Sequence, residues 1–507
     1  MNEAGQALPR LGRAAVVAAV VVGIPLRFVT TSHLWLDEAL SVDIARLPIG
    51  DIPDALRHDG HPPLYYVGLH LWMSLFGEGD VAVRAFAGVF GVGALALAWW
   101  AGKRVAGSAG GWWALGLFAL CPFLLRYSTE TRMYALVSFL VLAGWLLVQR
   151  ALEKPSLARL APISLVVGLL LLTHYWALWL VGATVLVLAW HSRRAGPARR
   201  VLVAVLCGGV LLVPWLPVML DQSAHTGTPW ASAVRPTTMV QVALHDIGGG
   251  EFAEAVLLGM VLLFLFVLGL AGRRTDDHTV ALDVRSVPGM RAEAVVVGLT
   301  LAIATVVGYA THTTFAGRYV AAVVPLFLLL AALGAVQVPG RTAPLVVLAF
   351  VLVLGSVGAV HNVVTDRTQA GDIAAGIRER AQPGDIIVIC PDQLGPSTHR
   401  VVPADLTQLT YPPSGIAPGR VEWRDYADRN AAADPHAFAS SVVAAAGGAH
   451  NVWVVWDGSY KTLEGQCEAV VTDLTNALGG GELIVEDDSD VFEHAALLRL
   501  AGPVHTP

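Results

Sequence analysis

The stretch Leu64-Tyr65-Tyr66-Val67-Gly68-Leu69-His70-Leu71-Trp72-Met73-Ser74-Leu75-Phe76-Gly77 decides how the rest of the chain is read. It is apolar, yet short of the roughly 20 residues a spanning helix needs. Its Tyr, Trp and His residues favour the membrane interface. Taken as a helix lying on the membrane, it keeps the basic segments on one side. These are Lys103-Arg104, Lys154 to Arg159, Arg193 to Arg200, Arg273 to Arg291, and Arg341, all cytoplasmic if the N-terminus is. Taken as a span, it would send every later loop to the opposite side.

Outward from this stretch, apolar runs of spanning length or nearly so fall at about 13–31, 81–102, 111–127, 131–149, 158–173, 175–191, 200–220, 253–271, 293–311, 319–337 and 342–361. The expectation is an α-helical polytopic membrane protein with about eleven transmembrane helices over residues 1–361. Composition agrees: 55% of residues are apolar and 14% charged, against about 25% charged in soluble domains. Mean hydropathy is +0.61. The net charge of −6 argues against a nucleic-acid partner, which calls for basic patches. Arg10 and Arg13 before an apolar run resemble a signal peptide, but no small-x-small cleavage site follows, and the run reads as the first span.

Residues 362–507 read as a soluble, extracytoplasmic α/β domain. A helix is expected over 372–381, strands over 385–390, 451–456 and 495–500, and a helix over 463–478. No glycine-rich phosphate loop precedes these helices, so no nucleotide site is expected. Cys390 and Cys467 are either a disulfide or two free thiols.

Ionisable residues at membrane depth are costly and mark function. On the predicted outer side they gather in the first long loop, about 32–80, in a turn at 126–132, and near 174 and 318; the outer loop 221–252 is turn-rich. Asp37 and Glu38 are adjacent, so a helix can aim only one of them at a site; Asp37 could equally cap that helix. His58, Asp59 and His61 crowd into one turn, as a metal set or as a polar interfacial turn. Arg126, Glu130 and Arg132 sit between two apolar helices, where arginine forks suit phosphate or snorkel to headgroups. His174 and Arg318 stand at outer helix ends. Arg27 and Arg84, in or near spans, could be partners for carboxylates.

At four places the chain resembles the GT-C-fold glycosyltransferases, in particular the protein-mannosyltransferase-like and aminoarabinose-transferase-like branch. They are Leu36-Asp37-Glu38, His61-Pro62-Pro63-Leu64-Tyr65-Tyr66 with Leu75-Phe76-Gly77, Arg126-Tyr127-Ser128 through Glu130 to Arg132-Met133-Tyr134, and Gly317-Arg318-Tyr319 with Pro325. The segment Arg378 to Val388 also resembles one that follows the last span in bacterial members. The resemblance implies a polyprenyl-phosphate sugar donor, with mannose or a pentose the first choices, and a lipid, glycan or protein acceptor. It implies a catalytic carboxylate at Asp37, first-loop juxtamembrane helices near 39–47, 51–58 and 64–77, and a functional turn at Arg126, Glu130 and Arg132. The metal-dependent branch has two acidic residues in that turn; this chain has only Glu130, so no metal ligands are assigned.

The expected reaction is an inverting transfer at the outer face of the cytoplasmic membrane, with Asp37 as base and Arg126, Arg132 and Arg318 on the donor phosphate. Glu38, His58, Asp59, His61, Tyr65, Glu130 and His174 are the candidate sugar or acceptor pocket. The alternatives are a transporter or flippase, for which no inverted repeat is evident, and a non-enzymatic assembly protein.

Overall fold

The computed structural model describes residues 8–227, 234–283, 285, 290–311, 313, 315–447 and 450–501. The membrane part begins with α1 (Arg10–Gly23), followed by α2 (Leu36–Ala45), α3 (Ile52–Arg57) and α4 (Leu64–Phe76) of the first loop. Then come α5 (Asp80–Ala119), α6 (Pro122–Ser128), α7 (Tyr134–Glu153), α8 (Leu157–Leu171), α9 (Ala177–Ser192), α10 (Gly196–Gly209) and α11 (Leu216–His225). The series closes with α12 (Pro236–Gly248), α13 (Ala253–Ala271), α14 (Arg291–Thr311), α15 (Val324–Gln337) and α16 (Ala343–Val364).

Among the described residues, six helical stretches are long and apolar enough to cross a membrane, and α4, α8, α9 and α15 are shorter apolar helices. The helix α5 is two helices in one. Ala106 and Gly107 leave helical geometry, Gly107 at φ +62°, and the chain doubles back so that Trp99 meets Trp112 edge to face. A left-handed turn of this kind suits glycine because it has no Cβ to clash. The close pair α13 and α15 depends on Gly269 and Gly334: a Cβ on either would run into the backbone of the other helix. Small residues at such crossings let apolar helices pack where lipid offers no hydrophobic drive.

The helix α4 spans 13 residues, about 20 Å, and both its ends touch the C-terminal domain. Just before it, His58 pairs with Glu422 and its carbonyl accepts from the Trp423 N–H. Just after it, Arg400 pairs with Asp80 at 2.8 Å and donates to the Glu78 carbonyl. The segments on both sides of α4 thus contact the same C-terminal domain. Arg104 donates to Glu153 at 2.6 Å, which joins the basic segment at 103–104 to the one at 154–159.

Two features lie where loops were expected. Residues 236–248 of the 221–252 loop form α12, starting with Pro236 and ending at Gly249 in the left-handed conformation, the usual start and stop residues of a helix. Residues 228–233 of that loop lie outside the described residues. The basic 272–291 segment carries a short hairpin, β1 (Gly272–Arg274) with β2 (Val280–Leu282).

The C-terminal domain contains α17 (Ala370–Arg380), β3 (Ile386–Cys390), α18 (Gly395–Val401), β4 (Thr407–Thr410), α19 (Tyr426–Ala432), α20 (Pro435–Ala446), β5 (Val452–Trp456), α21 (Gln466–Leu478), β6 (Gly481–Val485) and β7 (Ala496–Leu500). Its sheet runs β4-β3-β5-β7-β6, parallel across β4, β3 and β5 and antiparallel beyond. Both faces are covered: Val388 and Cys390 pack with Val442 and Val470, while Ile387 and Ile389 pack with Ile373 and Ile377. That double cover explains why Ile386 to Cys390 is an unbroken apolar run rather than an alternating one. Cys390 and Cys467 form a disulfide joining β3 to α21.

In a background lacking free thiols, cysteines placed at Gly50, Gly79 and Gly415 are expected to react with a membrane-impermeant maleimide from one side. A cysteine at Ser156 is expected to react only from the other. Opposite labelling of Gly50 and Gly79 would show that α4 crosses the membrane.

Candidate active site

The site is assembled by α2, which follows the short extended entry at Trp35. Its first turn holds Asp37 and Glu38, and successive helical residues point about 100° apart. Glu38 takes the inward direction and is fully buried. Its carboxylate accepts from Arg84 Nε at 2.8 Å, Arg84 Nη2 at 2.6 Å and the Thr131 N–H at 2.8 Å. Arg367, at the entry to the C-terminal domain, lies 3.6 Å away. Burial works against the charge, but these partners hold the Glu38 carboxyl below its ordinary range. The expectation that Glu38 lines a sugar or acceptor pocket is therefore corrected: its lone pairs are committed to the scaffold.

Asp37 takes the other direction, into a cavity of about 390 Å³ between the membrane helices and the C-terminal domain. Its Oδ2 lies 3.7 Å from Arg132 Nη2 and 3.6 Å from Arg318 Nη2. The same oxygen is buried without a hydrogen bond, as are Arg132 Nε and Arg318 Nε. Arg318 lies over the rings of Trp35 and Tyr319. With Trp35 Nε1, one acceptor and three donors thus stand without a hydrogen bond on the residues of a single cavity, and buried polar groups of this kind call for an explanation.

Behind Arg132 runs a relay that fixes its plane. Arg132 Nη2 faces His61 Nε2 at 2.9 Å, and His61 Nδ1 faces Asp59 Oδ2 at 2.8 Å. A guanidinium can only donate, so Nε2 accepts and the ring proton sits on Nδ1, given to Asp59. Tyr66 Oη also donates to Asp59, at 2.8 Å, and Arg132 Nη1 reaches Ser41 Oγ at 3.1 Å. Burial raises the cost of a charge on Asp59, yet His61, Arg132 and Tyr66 hold its carboxyl below the usual range.

Of the expected residues, the structure brings Asp37, Asp59, His61, Arg132 and Arg318 to the cavity. The others go elsewhere, each for a visible reason. His58 turns outward to Glu422 at 2.8 Å and helps seat the C-terminal domain. Tyr65 is fully buried against Phe86 and Tyr66. Arg126 is off the cavity wall and pairs with Glu130 at 3.2 Å; Glu130 is itself buried, which pushes its carboxyl up. His174 lines a neighbouring groove instead. Asp59 and His61 bond each other rather than presenting free ligands to a metal. Arg27, a possible carboxylate partner, donates to the carbonyls of Gly23, Phe118 and Ala119.

Residues with no local signal complete the walls: from the C-terminal domain come Gln393, Asp457, Ser459, Tyr460, Phe492, Glu493 and His494. Off the walls, Asp246 on α12 accepts from Tyr127 at 3.2 Å beside the Gly317 turn. Burial, with Asp37 nearby, pushes the Glu493 carboxyl up to about 8; it accepts from the Leu36 N–H at 3.1 Å and from Ser397 at 2.8 Å. Among the described residues, Asp457, Asp487 and His494 alone form a group with donor atoms close enough to share a metal ion.

The cavity opens into a larger groove of about 700 Å³. His61, Thr226, Gly227 and Tyr319 border both. Trp176, Leu178, Trp179, Met219, Val307 and Phe315 make the groove largely apolar.

Residues 60–220 match the family described as dolichyl-phosphate-mannose-protein mannosyltransferase. Among curated proteins none matches the chain by sequence. In structure, the chain is similar to ArnT from Cupriavidus metallidurans in the apo state, with TM-score 0.63, 15% identity, and coverage of 97% of this chain and 99% of that one. The same protein bound to undecaprenyl phosphate aligns with TM-score 0.62 and 14% identity over the same shares. The Archaeoglobus fulgidus oligosaccharyltransferase in complex with Zn and sulfate aligns with TM-score 0.52 and 12% identity, over 97% of this chain and 74% of that one.

Glu38→Gln is expected to lower stability by about 3–5 kcal/mol, because Arg84 and Arg367 are left buried with less opposing charge. Thermal unfolding of Glu38→Gln, Arg84→Met and the double variant checks this. The double variant should lose clearly less than the two single losses added; strict additivity would mean that the pair is not the coupled unit its geometry implies.

Proposed function

We propose, from the GT-C fold that this multi-pass membrane chain shares with ArnT, that the protein is a glycosyltransferase using a polyprenyl-phosphate sugar. The observation that carries this reading is the cavity itself. Asp37, Arg132 and Arg318 line it together beside an apolar groove, and Asp37 Oδ2, Arg132 Nε and Arg318 Nε are buried without a hydrogen bond. Arginine forks match phosphate oxygens, and the groove offers an apolar path for a prenyl chain. The neighbour whose structure holds undecaprenyl phosphate has the same fold.

In the proposed reaction an acceptor hydroxyl donates to Asp37, which takes its proton as the new C–O bond forms at the anomeric carbon. The bond from that carbon to the phosphate oxygen breaks, and its electron pair leaves on the polyprenyl phosphate. A positioned base supplies about 10²–10⁴-fold in rate. Arg132 and Arg318 stabilise the charge that grows on the leaving phosphate, and preorganised donors of this kind are worth more where substrate excludes water. Attack in line with the departing group inverts the anomeric centre. Asp59 and His61 position Arg132 through the relay described above. The sugar is a hexose such as mannose, or a pentose.

The disulfide in the C-terminal domain supports an oxidising compartment for that domain. This agrees with the positive-inside pattern of the basic segments in the sequence. We therefore place the site on the outer face of the cytoplasmic membrane. Residues 1–361 are proposed as the transferase module and 362–507 as the domain that closes over it.

The test is transfer from radiolabelled polyprenyl-phosphate sugars by the purified full-length protein in lipid discs. Asp37→Asn is expected to lower transfer by at least about 100-fold while the protein still inserts in the membrane. Arg318→Gln is expected to raise the donor KM. Full transfer by Asp37→Asn would remove the base from this account.

A further inference from the structure

The cavity that Arg132 and Arg318 line has a second wall from the C-terminal domain, and its chemistry differs from theirs. It is built at the carboxyl ends of two parallel strands. Gln393 follows β3, and Asp457 follows β5 directly. In open α/β sheets the crevice beyond the carboxyl ends of the strands is where ligands bind. From this wall we infer that the acceptor is a neutral glycan, held through its hydroxyls by Asp457, Ser459 and His494. The inference rests on the reading of the cavity as a glycosyl-transfer site.

The side chains are set up for hydroxyl groups. Asp457 is 6% exposed. Its two oxygens accept from the Ser459 N–H at 2.7 Å and the Ser459 hydroxyl at 2.8 Å. Among the described residues no Arg or Lys pairs with it; its one ion-pair neighbour is His494 Nδ1, at 3.9 Å. That nitrogen lies closer to Asp487, at 2.6 Å, and a carboxylate can only accept there. His494 therefore donates from Nδ1, and Nε2, which bonds no described residue, is left free. A carboxylate with lone pairs to spare and a free imidazole nitrogen match the hydroxyls of a polyol, which both donate and accept. The rings of Tyr460 and Phe492 offer apolar faces to the C–H side of a sugar ring beside these polar groups.

Charge and topology argue against a phosphorylated acceptor and against a peptide added as a strand. The two cations on the cavity lining are Arg132 and Arg318, both on the donor side. A phosphorylated acceptor would meet the Asp457 carboxylate with no cation to offset it, and like charges in such a site repel strongly. A peptide recognised as an added strand needs a sheet edge. The edge strands β4 and β6 contribute nothing to the cavity lining.

The experiment uses the full-length protein in lipid discs with a panel of radiolabelled polyprenyl-phosphate sugars. The acceptor probes are mannotriose, galactotriose and arabinotriose, a serine- and threonine-containing peptide, and a phosphorylated glycolipid. Label is expected in a neutral trisaccharide. Asp457→Asn and His494→Ala should raise its KM about tenfold, the scale of one lost hydrogen bond to a charged or well-placed group, and Ser459→Ala by less. Retained binding of undecaprenyl phosphate marks the variants as folded. Label confined to the peptide or to the phosphorylated glycolipid overturns the inference, as does an unchanged trisaccharide KM in folded Asp457→Asn and His494→Ala. Loss of every activity in the wild type, donor hydrolysis included, overturns instead the transferase reading on which the inference stands.

Discussion

The carboxylate of Glu38 ties together four parts of the molecule that are far apart in sequence. Arg84 brings α5, the Thr131 N–H brings the turn before α7, Arg367 brings the entry to the C-terminal domain, and Glu38 itself brings α2. Arg367 reinforces the junction by donating to the carbonyl and hydroxyl of Thr129, both at 2.7 Å, and Arg84 by donating to the carbonyls of Ser32 and His33. A buried carboxylate with this many partners tolerates little rotation. Because Glu38 cannot turn, its neighbour Asp37 is held toward the cavity. Because Thr131 is pinned, Arg132 follows it there. The positions of the proposed base and of one proposed phosphate-binding arginine are therefore two consequences of one ionic junction.

The same junction explains why the cavity has two chemical sides. The membrane helices supply Arg132 and Arg318, whose cost at membrane depth is offset by Asp37 and by the aromatic rings around them. The C-terminal domain supplies carboxyl, hydroxyl and imidazole groups. It is seated by Arg400 on Asp80, Arg424 on Asp221, and Glu493 on the Leu36 N–H. Neither part has a complete site alone. Asp37 and Asp457 are 420 residues apart in the chain and line one cavity.

Local physics made much of this legible in the sequence. The apolar runs, the short aromatic α4 and the central strands β3 and β5 stand out because each answers to composition within a dozen residues. Asp37 and Arg132 could be picked out because a charge beside a span calls for a reason. The edge strands β4 and β6 could not, since Thr407 to Thr410 and Gly481 to Val485 carry no alternating or continuous apolar pattern. The helix α12 had its signals, Pro236 at the start, Gly249 at the end and Met239, Ala243 and Ile247 four residues apart, but they were outweighed by the turn residues around them. Glu38 and Asp37 look alike in one dimension; only the positions of Arg84 and Arg367 separate scaffold from site. The roles of His58, Asp457 and His494 depend on long-range docking, which leaves no mark in neighbouring residues.

The central claim is that the arginine pair and the groove beside it hold a polyprenyl phosphate next to Asp37. The most direct measurement is an experimental structure of the full-length protein with undecaprenyl phosphate bound. The account predicts phosphate oxygens in contact with Arg132 and Arg318, and the prenyl chain in the groove lined by Trp176, Trp179 and Phe315. A phosphate bound away from both arginines, or a chain that avoids the groove, would contradict it.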